Sequence, residues 1–88
     1  MARCYLTHPV ESFDKWKPHF DDDKVNRAAA GLSDVGVYRK VGDENNILVV
    51  LEGDPDGMKK MLEDPHMAEA MKEVGVLAPP QVYFGEKL

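Results

Sequence analysis

Eighty-eight residues with a net charge of −5 and a pI of about 5.0 form one domain, 1–88, with no room for a second core. That charge excludes the clustered basic surface that nucleic acid or an anionic membrane requires, and 43% hydrophobic with 31% charged residues excludes a disordered chain. The single Cys4 excludes an internal disulfide, and no CxxC or HxxxH spacing offers a structural zinc. A chain this short buries only roughly 60–65% of its unfolded surface, so oligomerisation is the expected route to stability.

Ala2 to His8 alternates in the manner of a strand, and Pro9 ends it. Ser12 is an N-cap candidate for a helix carrying Phe13, Trp16 and Phe20, and further on Arg27 and Ala28. Pro18 predicts a kink in that helix or a separate turn at its start, and Gly31 its end. Val35 to Lys40 reads as a second strand, Gly42 to Asn45 as a polar turn, and Asn46 to Glu52 as a third strand, together a hairpin. Asp54-Pro55 and Asp64-Pro65 are two helix starts, each an acid followed by proline at the first helical position. Met58, Met61 and Leu62 follow the first, and Ala68, Met71 and Val74 the second, until Gly75 stops it. Pro79-Pro80 leads into a last strand, Gln81 to Phe84. The longest apolar run, Ile47 to Leu51, is far too short to cross a bilayer, and the N-terminus lacks a signal-peptide pattern, so a cytoplasmic location is expected.

The same run decides the architecture. A strand with one wet face alternates polar and apolar residues; Ile47-Leu48-Val49-Val50-Leu51 does not, so both of its faces are expected to be buried. Two helices cover one side of a small sheet. A second copy of the chain is the simplest cover for the other.

The order β-α-β-β-α-β is an α+β, ferredoxin-like pattern with a four-stranded antiparallel sheet. With an apolar open face it resembles the dimeric α/β-barrel superfamily, which includes antibiotic-biosynthesis monooxygenases, stress-responsive barrel proteins and small polyketide cyclases. Within it the chain resembles a group of small bacterial proteins. The similarity runs through Thr7-His8-Pro9-Val10, Phe13-Asp14-Lys15-Trp16-Lys17-Pro18 and Phe20-Asp21, then Ala30-Gly31-Leu32 and Val37-Tyr38-Arg39. It continues through Asp64-Pro65, Glu69-Ala70-Met71, Gly75-Val76 and Pro79 to Phe84. The resemblance implies a homodimer joined through the open sheet face, a pocket between sheet and helices in each subunit, and a histidine with a tyrosine as the active groups. Pro65-His66 is similar to the family's proline-then-histidine segment, with spacing one residue different.

His8 stands at the end of a central strand, in register with Cys4 and Leu6, where an imidazole can serve as a general base or merely cap the strand. Tyr83 and Tyr38 are expected either to orient a substrate carbonyl or to pack locally. Trp16 and Phe20 are core residues or walls for a flat ligand. Met61, within the set Met58, Met61, Met67 and Met71, fits an adaptable apolar cavity, with core filler as the plainer account. His66 borders that stripe, at a pocket mouth or on the surface. Arg27 either clamps a ligand carboxylate or pairs with an acid. Asp21-Asp22-Asp23 points in different directions and makes no metal site, Cys4 is expected to be an inert core thiol, and no phosphate loop, dinucleotide or nucleophile-elbow motif occurs.

These readings predict a homodimer binding a mostly apolar, oxygen-bearing organic small molecule, without metal or cofactor. A cofactor-independent cyclase or monooxygenase reaction is one outcome, with His8, Tyr83 and Tyr38 as catalytic groups and Trp16, Phe20, Arg27, Met61 and His66 as ligand-binding groups. A non-catalytic ligand-binding or stress-related dimer, or a purely structural accessory, is the alternative.

Overall fold

The computed structural model describes residues 2–78, 80–86 and 88. Its elements run β1 (Ala2–Pro9), α1 (Phe13–Asp22), α2 (Lys24–Ala29), β2 (Ser33–Lys40), β3 (Asp43–Gly53), α3 (Pro55–Glu63), α4 (Pro65–Glu73) and β4 (Gln81–Glu86). The four strands form one antiparallel sheet in the order β2-β3-β1-β4, which is the ferredoxin-like topology expected.

The period-two rule sorts the sheet into two faces. Cys4, Leu6 and His8 of β1 lie opposite Leu51, Val49 and Ile47 of β3, and all six are buried beneath the helices. Val10, Trp16, Leu32, Met58 and Val76 complete this core. The other face carries Tyr5, Leu48, Val50, Tyr38 and Tyr83. Val50 is buried there within the single chain, flanked in register by Tyr5 and Gly36, whereas Leu48 is half-buried. Tyr38 and Tyr83 stand 54% and 68% exposed, so this face is apolar and open. The Tyr38 ring lies over Gly36, where a Cβ would meet its hydroxyl at 2.8 Å and turn that exposed side chain aside.

One helix break and one cap differ from the sequence reading. Pro18 sits inside α1 without dividing it, and the break falls five residues later, at Asp23. There the main chain leaves helical geometry and the Asp23 carbonyl accepts from the amides of both Asn26 and Arg27, starting α2. Ser12 precedes α1 with extended backbone but its hydroxyl caps no amide. Both acid-proline starts behave as expected: Asp54 Oδ1 accepts from the Asp56 amide at 3.0 Å, and Asp64 Oδ1 from the His66 amide at 2.9 Å. The hairpin is tighter than expected, because Lys40 pairs directly with Asp43 and only Val41-Gly42 turn, with Gly42 at φ +86°.

Candidate functional site

A cleft of about 1060 Å³ opens between the helix-facing side of the sheet and the two helical arms, α1–α2 on one side and α3–α4 on the other. Leu6, His8, Val49 and Leu51 form its floor. Trp16, Phe20 and Arg27 form one wall, and Met61, Met67 and Met71 the other. Helix α4 contributes no fully buried residue, so its inner side borders the cleft instead of sealing against the sheet.

His8 reaches the floor because β1 is central and its even-numbered side chains face the helices. The residue is 6% exposed, and its Nδ1 is buried without a hydrogen-bond partner. Desolvation pushes the imidazole pKa below its ordinary value, so the ring is neutral at pH 7. A buried, unpaired ring nitrogen costs about 1–3 kcal/mol, a cost that the neighbouring Pro9 backbone partly offsets. Cys4, beside it in the core, has its thiol pKa raised by burial, which keeps it protonated and inert as expected.

The first wall is a continuous stack. The His8 ring meets the Trp16 ring edge-on at 5.5 Å, Trp16 stacks on Phe20 at 5.0 Å, and the Arg27 guanidinium lies 3.8 Å over the Phe20 ring. Two neighbours thus crowd the Phe20 ring, and it serves to hold the column more than to offer a free surface to a ligand. Arg27 is itself fully engaged in its fork: Nε and Nη2 donate to the two carboxylate oxygens of Asp34 at 2.8 and 3.0 Å, and Nη1 donates to the Phe20 carbonyl at 2.8 Å. Asp34, held by this pair, has its pKa lowered. Of the two roles expected for Arg27, pairing with an acid is the one the structure shows.

Among the residues singled out in the sequence, the cleft gathers His8, Trp16, Phe20, Arg27, Met61 and His66. It does not gather Tyr38 or Tyr83. Both lie on the opposite face of the sheet, Tyr83 edge-on to Tyr5 with ring centroids 6.0 Å apart, because β4 pairs Tyr83 with Tyr5 and β3 pairs Tyr38 with Leu48. The expected grouping of these tyrosines with His8 is corrected accordingly. His66 stands exposed at the mouth, and His19 is exposed there as well. Several lining positions escaped the sequence reading, Gly57, Lys60 and Glu73 among them. Gly57 lets α3 approach the end of α2, since a Cβ there would meet the Ala30 carbonyl at 2.8 Å. Its signal was a glycine inside a helical pattern, which costs about 1 kcal/mol against alanine and so asks for a packing reason.

No family model matches the chain, and no curated protein matches it. Solved structures do. A candidate antibiotic biosynthesis monooxygenase from Bordetella bronchiseptica superposes with a TM-score of 0.74 at 19% identity, covering 99% of this chain and 96% of that one. The chain has the ferredoxin-like fold of these proteins. A second candidate of the same description, from Caulobacter crescentus CB15, gives 0.71 at 15% identity over 99% and 89% of the two chains. A third structure named as an antibiotic biosynthesis monooxygenase gives 0.72 at 10% identity over 100% and 99%. The likeness to these structures is one of fold, and it runs the length of the chain. Among the described residues no helix is long and apolar enough to cross a membrane, and no group of three or more His, Cys, Asp and Glu side chains is placed to hold a metal ion.

Proposed function

We propose that the protein is a homodimer whose subunits each bind a mostly apolar, oxygen-bearing organic molecule in the cleft between sheet and helices. The observation that carries this reading is the His8 imidazole, neutral and lacking a partner at Nδ1, on the floor of an otherwise apolar cleft. The cleft volume of about 1060 Å³ is well above the roughly 300 Å³ a small organic ligand needs, which weighs against a purely structural accessory. The open face with Leu48, Tyr38 and Tyr83 supports a second copy as its cover, with Tyr38 and Tyr83 serving assembly instead of substrate orientation.

In a catalytic version His8 is the base. Its neutral ring takes a proton from a carbon next to a carbonyl or from an acidic hydroxyl, and the apolar walls keep water from the resulting anion. A non-catalytic binding role is the second reading, and one observation favours it: no side chain hydrogen-bonds Nδ1 to orient the ring, as a working base ordinarily requires.

The test is His8→Ala. Calorimetric titration with a hydroxynaphthalene should lose affinity at least tenfold while sedimentation still gives the dimer mass. Unchanged affinity removes His8 from the site.

A further inference from the structure

The charges around the cleft say more about its occupant than its apolar lining does. Inside, no free cation remains among the described residues: His8 is held neutral, and both prongs of the Arg27 fork are on Asp34. At the mouth stand four carboxylates, Asp22, Asp23, Asp64 and Glu73, against the single ammonium of Lys60. Hydrogen bonds occupy part of this acidic rim, since Asp23 accepts from the Asn26 amide group and Asp64 from the His66 backbone, but they leave the charges in place. An apolar cleft with low-dielectric walls focuses the field of such a rim on whatever enters.

Resting on the reading of this cleft as a ligand site, we propose that it selects a compound with a hydroxyl at its deep end, an apolar body, and a protonated amine at the mouth. The hydroxyl lies against the His8 imidazole, the polar side chain on a floor otherwise made of Leu6, Val49 and Leu51. The body fills the space between Trp16 and the methionines of α3 and α4. The ammonium sits among the rim carboxylates. A carboxylate at the same end of the ligand would enter a field of its own sign, with no side chain free to neutralise it but Lys60 among the described residues.

Calorimetric titration of the full chain with three probes decides this. All are hydroxynaphthalenes, bearing at the far end an aminomethyl, a hydroxymethyl or a carboxyl group. The expected order is amine, then alcohol, then carboxylate, with the amine bound at least about tenfold tighter than the carboxylate in dilute buffer and the gap narrowing to about twofold near 0.5 M salt. The double variant Asp22→Asn with Asp64→Asn keeps the α4 cap, because asparagine caps as well as aspartate. It should bring the amine's affinity down to that of the alcohol and leave the alcohol unchanged. Equal binding of all three probes, or tightest binding of the carboxylate, overturns the charge selection and leaves the cleft standing as a ligand site. Absence of binding by every probe, the uncharged alcohol included, overturns both.

Discussion

Arg27→Lys separates the charge of the buried cation from its shape. Lysine keeps the positive charge, so Asp34 is not stranded, but it cannot span both carboxylate oxygens and the Phe20 carbonyl at once. Two of three hydrogen bonds are lost. Hydrogen bonds to charged groups contribute about 1.5–3 kcal/mol each, and Asp34 is 28% exposed, which favours the low end. The expected cost is about 3 kcal/mol, which for a domain of this size lowers Tm by roughly 12–24 °C. Thermal melts followed by circular dichroism and by Trp16 fluorescence, at one fixed protein concentration, measure it. Trp16 is the only tryptophan, and it sits two rings along the same stack, so the native emission should also shift as Phe20 loosens. A Tm within about 4 °C of wild type would show that the fork contributes little beyond its charge and would refute the reasoning.

Three further outcomes are expected. His8 is held below its ordinary pKa, so the unfolded chain binds that proton first, and stability falls as the pH drops from about 6.5 toward the lower folded value; His8→Gln should flatten the decline of Tm between about pH 7 and 5. Gly57→Ala places a methyl against the Ala30 carbonyl, and denaturant titration should show a loss of about 1–3 kcal/mol in place of the gain that alanine ordinarily brings to a helix. Leu48→Asp puts a charge on the open sheet face, and sedimentation should then give a folded monomer where the wild type gives a dimer.

Much of the fold was legible because it rests on local signals. The two acid-proline helix starts, the β3 apolar run and the glycine stops each act over a few residues, and they suffice to order the elements. The break between α1 and α2 was misplaced because proline is the stronger local signal, yet Pro18 forfeits only one amide bond while the carbonyl of Asp23 gathers two amides to begin a new helix. Alternation put His8 on the same face as Cys4 and Leu6, but which face Tyr38 and Tyr83 share depends on register. Register on β2 is shifted by an irregularity between Asp34 and Gly36, and on β4 it is set by pairing with β1. The Arg27–Asp34 pair joins the end of α2 to the start of β2 across a loop, a link that no helical or strand period announces. Half of the candidate site, its floor and aromatic wall, could therefore be read from periodicity; its electrostatics could not.

The side of the sheet that holds the ligand is settled most directly by two-dimensional NMR of the protein titrated with a hydroxynaphthalene. Saturable shifts of the Trp16 indole and His8 imidazole signals, with the Tyr38 and Tyr83 ring signals unmoved, are the expected result. Shifts confined to the tyrosines would place binding on the open face and contradict the account.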